Sequence, residues 1–170
     1  HFLEHMVFNG TEHFAPGALI PYFESIGMTF GADLNATTSF DRTGYSLFLP
    51  TVEPAQIETA LTVLSDYAFR ATLADREVDE ERGVILEEAR SKKSAGQRVR
   101  DKLLPELFAG VRFASRLPIG DEKIVETAPR SLLAEYYRTW YRPELITLVL
   151  VGDADVQPIV PLIDKLFGQY

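Results

Sequence analysis

The sequence predicts an α+β fold, a mixed, largely antiparallel sheet packed with helices. Three observations carry this reading. Residues 54–71 repeat apolar side chains at helical spacing, with Ile57, Leu61, Leu64 and Ala68 on one stripe. Leu34 to Phe40 and Thr43 to Leu49, rich in Thr, Tyr and Phe, flank Asp41-Arg42 and predict a β-hairpin. Leu145 to Val151 is apolar except for Thr147 and ends at Gly152-Asp153, the pattern of a fully buried central strand. With 170 residues, 46% of them hydrophobic, the chain can form one domain over 1–170 with a real core. The apolar strand needs neighbours on both edges, and His1 stands inside a helical pattern. The domain is therefore expected to be truncated at its N-terminus and to lack its first strands.

The elements follow in order. His1 to about Asn9-Gly10 reads as a short, mostly apolar helix with a normal stop. Thr11 to Ala15 is a polar loop holding His13, which is expected at the surface. Pro16 to Ile26 is helical and closed by Gly27, with Pro21 tolerable near its first turn. The hairpin comes next, then the helix opened by Thr51-Val52-Glu53-Pro54. Asp75 is expected to cap a helix that runs to about Lys93 and is broken at Gly96. A helix over 97–108 carries Pro105, and 112–120 is loop. Asp121 to Thr127, Pro129 to Tyr141 and Asp155 to Phe167 are the remaining helices.

Charge and composition narrow the function. A net charge of −8, with both signs interspersed, argues against nucleic acid or an anionic membrane as partner. No run of apolar residues is long enough to span a membrane. The absence of cysteine excludes disulfides and thiolate-ligated zinc.

Chemistry concentrates in His1-Phe2-Leu3-Glu4-His5. Histidines four apart on a helix lie on one face about a turn apart, so both can reach one ion, with Glu4 on the flank of that face. Phe2, Leu3, Met6 and Val7 form an apolar back. Three polar side chains on a buried helix need partners, and a divalent metal with a water satisfies all three. The spacing is the H-x-x-E-H signature of the inverzincins. A catalytic zinc takes three protein ligands and keeps one open position, so one ligand remains to be found. Within Glu77 to Glu88, a wheel of about 100° per residue centres the apolar face on Val78, Ile85 and Ala89. Glu81 and Glu88 lie on one flank of it, with Val84 beyond, whereas Glu80 and Glu87 point to solvent. Two neighbouring carboxylates on that flank repel unless a cation or donors stand between them.

These motifs, together with Gly10-Thr11, Gly31-Ala32-Asp33-Leu34-Asn35-Ala36, the run Glu81-Arg82-Gly83-Val84-Ile85-Leu86-Glu87-Glu88 and Tyr141-Arg142-Pro143, resemble the pitrilysin/insulinase family of zinc metallopeptidases. That family includes the mitochondrial processing peptidases, and its long bacterial members are the most similar. The resemblance implies a processing-peptidase-like, LuxS-metallohydrolase-like fold and a zinc-dependent endopeptidase. It implies His1, His5 and Glu88 as Zn2+ ligands, Glu4 as general base and Glu81 as the supporting catalytic carboxylate. Asn35, Ala36 and Thr37 are implied as the edge that binds extended peptide substrates. A homologous C-terminal half or partner subunit is expected to supply further donors, so the isolated chain is expected to be nearly inactive. An extracytoplasmic, periplasmic setting follows from the resemblance alone. His5 and Glu88 are 83 residues apart, a longer separation than in the best-known members. The alternatives are a non-catalytic assembly subunit of the same fold, against which Glu4 and both histidines argue, and an inert structural zinc site needing His13 as a fourth ligand.

Overall fold

The helical stripe over 54–71 becomes a long helix that feeds two of the three apolar clusters. In the computed structural model, which describes residues 1–170, the helices are α1 Phe2–Met6, α2 Leu19–Ser25, α3 Pro54–Phe69, α4 Asp75–Ser91, α5 Ala95–Leu107, α6 Glu122–Thr127, α7 Arg130–Trp140 and α8 Ile159–Phe167. The strands are β1 Leu34–Thr38 and β2 Thr43–Leu47. Pro54 starts α3 at its first position, where no backbone donor is needed. Ile57, Ala60, Leu61, Val63, Tyr67 and Ala68 are buried, whereas Leu64 is only half-buried, so the interior face is wider than the predicted stripe.

Three apolar clusters form the core, and α3 contributes to the first and third. One joins Val7, Phe23, Met28, Leu34, Val63 and Tyr67. A second joins Leu3, Met6, Leu73, Val78, Leu133 and Tyr137. A third joins Ile57, Leu61 and Ile159. Helix α1 feeds the first two. Five residues cannot hold a helix in water, where even good formers need ~12–15. Burial of Leu3, Met6 and Val7, each roughly 1.5–3 kcal/mol, therefore decides its conformation. The loop after α1 is tied down by fully buried Asp66. That carboxylate accepts from the Thr11 hydroxyl at 2.6 Å, from His13 N–H at 3.1 Å and from Arg70 at 3.2 Å, and meets His13 Nδ1 at 2.9 Å. Gly10 sits at φ +109°, and a Cβ there would lie 3.0 Å from Pro16 and Thr72.

The result is α+β, with a small antiparallel sheet among helices, but the sheet has two strands rather than a larger mixed set. Leu34 pairs with Leu47, Ala36 with Tyr45 and Thr38 with Thr43. The strand expected over 145–151 does not form. Pro143–Leu145 is a 3-10 turn, and the following run has no ladder partner. Its inward residues Ile146 and Leu148 are half-buried, while Val149 and Val151 are 72% and 90% exposed. No second strand lies beside it to satisfy its main chain, so its apolar character alone does not make a sheet.

Smaller corrections concern helix ends. Asp75 is the first residue of α4 and not its cap, because Ala74 occupies that position. The break before α5 falls at 92–94. There the Ser94 hydroxyl accepts from Gln97 N–H, and Gly96 lies inside the helix. Helix α2 begins at Leu19, placing Pro21 in its first turn, and α8 begins at Ile159. Asp121 caps α6 through two main-chain donors.

Two buried phenols on this core differ in a testable way. The Tyr137 hydroxyl donates to the Tyr67 carbonyl at 2.9 Å and accepts from Ala71 N–H at 3.1 Å. The Tyr67 hydroxyl is buried without a partner. Burial pushes both pKa values above the usual phenol value. The stability they carry is thus intact below ~pH 10 and is lost as pH rises beyond it. Tyr67→Phe should leave stability unchanged or raise it by up to about 1 kcal/mol, and Tyr137→Phe should cost about 1–2 kcal/mol, in denaturant unfolding at neutral pH. Equal losses at both positions would mean that the Tyr67 hydroxyl has a partner.

Candidate metal centre

The α1 segment presents His1 and His5 toward α4, which answers with Glu81 and Glu88, and Glu4 toward β1. The ligand-capable atoms of His1, His5 and Glu88 all lie within 4.8 Å of one another. Glu88 Oε2 is 3.4 Å from His1 Nε2 and 3.3 Å from His5 Nε2, and the two rings are tilted by 58° with centroids 4.6 Å apart. Glu88 Oε2 is buried and has no hydrogen-bond partner. A buried carboxylate oxygen facing two imidazole nitrogens without a donor is costly. A divalent cation at their common centre removes the cost, and the donor set, two imidazoles and one carboxylate with room for a fourth ligand, suits zinc. Glu88 is held there by Lys92, one turn on, whose ammonium pairs with the other oxygen, Oε1.

Glu81 reaches the same histidine from the other side. Its Oε1 is 2.7 Å from His5 Nδ1, and its Oε2 accepts from Asn9 Nδ2 at 2.6 Å. His5 therefore stands between Glu81 and Glu88, the donor that the repulsion between two flanking carboxylates requires. Burial opposes a charge on His5, but the Glu81 hydrogen bond and the charges of Glu81, Glu88 and Glu4 together outweigh it and raise its pKa. Burial likewise pushes Glu81 up, and the His5 and Asn9 hydrogen bonds with the His5 charge pull it below the usual carboxylate value. Glu81 is thus an ionised acceptor that fixes Nδ1–H and leaves Nε2 facing the centre.

Glu4 is 8% exposed and accepts from the Thr38 hydroxyl through Oε2. Asn35, Ala36 and Thr37 lie on β1 beside it. Phe48 N–H donates to the Asp33 carbonyl and Ser39 N–H to the Arg42 carbonyl, so in this alternation odd-numbered main-chain groups face β2. Those of Ala36 and Thr38 face the unpaired edge. There the Asn35 side chain accepts from Ala36 N–H at 2.8 Å. Asn35 and Thr37 side chains are exposed, whereas Thr38 shares its face with buried Leu34.

The wheel placed Glu88 and Glu81 inward and Glu87 outward, and their side chains are 27%, 14% and 72% exposed. Val84, expected near the acidic flank, is itself 54% exposed, so solvent borders that flank. Sequence reasoning missed Asn9, Thr38 and Lys92. Each carried a periodic signal: Asn9 continues the spacing of His1 and His5, Lys92 follows Glu88 by one turn, and Thr38 alternates with Leu34. His13 is half-exposed, as expected, but binds Asp66 and lies outside the cluster.

Comparison with known proteins gives this geometry a context. Residues 1–117 match the family described as insulinase, peptidase family M16, and residues 128–170 match its inactive domain. The two matched segments share core, since Leu133 and Tyr137 pack with Leu3, Met6 and Val78. The chain is 40% identical over 163 residues to the probable zinc protease PqqL of Escherichia coli, covering 96% of this chain and 18% of that protein. It is 31% identical over 170 residues to the mitochondrial-processing peptidase subunit beta of Caenorhabditis elegans, covering 99% of this chain and 35% of that one. The crystal structure of the first half of the periplasmic protease PqqL from Escherichia coli superposes with a TM-score of 0.92 at 38% identity, covering 99% of this chain and 36% of that chain. The chain thus spans about a fifth to a third of the relatives it matches. The helix that offers His1, Glu4 and His5, the helix that returns Glu81 and Glu88, and the match over most of the sequence agree: this chain belongs to the insulinase family of peptidases, family M16.

Proposed function

We propose that this chain carries the catalytic centre of a zinc-dependent endopeptidase acting on extended peptides. His1, His5 and Glu88 would hold the ion and Glu4 would serve as general base. The observation that carries the reading is the convergence of two imidazole nitrogens on the orphaned Glu88 Oε2. Membership of the family implies a zinc site. When bound, zinc supplies Lewis acidity, polarising the scissile carbonyl and lowering the pKa of a water toward ~7.

The remaining work falls to the chain's own groups. Glu4, beside both histidines on α1, accepts the proton of the attacking water and returns it to the leaving amine. Its burial keeps that proton out of bulk solvent. Glu81 acts through His5 as a positioning residue, holding the tautomer whose Nε2 lone pair faces the centre. Lys92 occupies Glu88 Oε1 and so leaves Oε2 as the ligand atom. An extended peptide would add beside Asn35, Ala36 and Thr37 on the unpaired edge of β1, displacing the Asn35 amide from Ala36 N–H. Main-chain pairing reads backbone more than side chains, which suits broad specificity. Further donors would come from a homologous C-terminal half or a partner subunit, and the large remainder of the matched relatives supports this. The periplasmic description of the Escherichia coli relative supports an extracytoplasmic setting. No helix is long and apolar enough to cross a membrane.

In the full-length enzyme, Glu88→Ala should abolish stoichiometric zinc, while Glu87→Ala should leave zinc content intact. Metal analysis after dialysis against a weak chelator reads both, and equal losses would place the wrong face of α4 in the site. Glu81→Gln should weaken zinc ~10–100-fold in competition titrations, the scale of a residue behind a ligand. Wild-type affinity in that variant would leave His5 correctly aimed without it. Glu4→Gln should retain zinc and lose ~10²–10⁴-fold in turnover of a quenched fluorescent peptide. Undiminished turnover there would remove Glu4 as the base.

A further inference from the structure

The hairpin that borders the metal centre carries a row of hydroxyls that ends on Glu4. Thr38 Oγ1 bonds Glu4 Oε2 and lies 3.3 Å from Thr43 Oγ1, its cross-strand partner. These groups come from α1, β1 and β2, so the row ties three elements to one carboxylate.

The direction of every bond follows from counting hydrogens. A hydroxyl has one hydrogen to give, and an ionised carboxylate can only accept. Thr38 must spend its hydrogen on Glu4. Thr43 must then donate to Thr38. Hydrogen bonds aligned in one sense polarise one another, so the bond onto Glu4 gains strength from the one behind it.

We infer that Thr38, backed by Thr43, is the positioning residue that fixes the Glu4 carboxylate. This rests on the reading of Glu4 as the general base. A glutamate side chain has three rotatable bonds and loses rotamer freedom when fixed. Something must hold it, and Thr38 supplies the one protein hydrogen bond that it receives. Threonine is stiff about its first side-chain torsion, and here it is anchored in a paired strand. Thr38 engages Oε2 and leaves Oε1 to face the reacting water. Asn35 and Thr37 point to the opposite face of the strand, so binding of a peptide and positioning of the base are divided between alternate residues of β1.

The test uses the full-length enzyme and a quenched fluorescent peptide. Thr38→Val keeps the shape and removes the donor. It should lower kcat ~10–100-fold, the range for residues that orient a catalytic group, with KM and zinc content near wild type. Thr38→Ser restores the donor and should recover most of the turnover. Thr43→Val should show a smaller loss in kcat, and should add nothing in the Thr38→Val background, because both act on one bond. Wild-type kcat in Thr38→Val, or a Thr38→Ser enzyme as slow as Thr38→Val, overturns the inference. So does a loss confined to KM, which would make Thr38 a substrate contact. If Thr38→Val does not fold, Thr43→Val decides: unchanged kcat overturns the role and a selective loss supports it. Failure of the underlying reading looks different, because Glu4→Gln would then turn over peptide normally whatever stands at position 38.

Discussion

The site depends on one imidazole held between two carboxylates. His5 offers Nδ1 to Glu81 at 2.7 Å and turns Nε2 toward Glu88 at 3.3 Å. The two ring nitrogens take different roles only because the partner on one side is fixed. Glu81 is fixed by Asn9 as well as by His5, so the ring cannot rotate without breaking its bond to a carboxylate that is itself held in place. The negative neighbours raise the pKa of His5 against the opposing effect of burial. A cation held by His1, His5 and Glu88 would meet the same field. The carboxylates that raise the imidazole pKa are therefore the ones that would favour a metal.

This arrangement demands a register between two helices that are remote in sequence. Helix α1 is too short to persist alone, so Leu3, Met6 and Val7 set its position through two separate clusters. Helix α4 is fixed by Val78 and Ile85 on its buried face and by Arg82 on its flank. The Arg82 guanidinium donates to the carbonyls of Val125 and Ala128, both at 2.6 Å, and covers the ring of Phe2. One residue of α4 thus clamps α6 and touches α1 at once. Its neighbour in sequence, Glu81, lies on the site. The edge of α4 that faces His1 and His5 is held in register because the adjacent positions are committed to packing.

Helical period made most of the site legible in the sequence. His1 and His5 share a face by spacing alone, and the wheel over 77–88 separated Glu81 and Glu88 from Glu80 and Glu87. The positions of Asn9 and Lys92 follow from the same period, but neither is a metal ligand or a base, so nothing in the residue type marks them. Thr38 is harder. Its role depends on which strand face meets α1, and a sequence shows that two faces exist without showing which neighbour each one meets. Helix ends were the least legible part of the fold. Ser94 rather than Gly96 sets the start of α5, because a hydroxyl that accepts from a free main-chain donor outweighs the flexibility of glycine two residues on.

The run 145–151 shows a different limit, and comparing it with β1 explains why. A continuous apolar run reports what a strand requires, not whether it is supplied. Ile146 and Leu148 line a small cavity with Phe69, Ile163 and Phe167, while Val149 and Val151 face outward. One side of the requirement is met and the ladder is absent. Strand β1 also has an unpaired edge, but its chemistry is opposite. Asn35, Thr37 and Thr38 are short and polar, and the free donor of Ala36 is closed by the Asn35 amide. An apolar edge of that length invites permanent pairing with another strand, whereas a polar edge with a removable side-chain cap can open and close. Of the two unpaired segments, only β1 borders Glu4, and it alone has the surface chemistry for a partner that must bind and then leave.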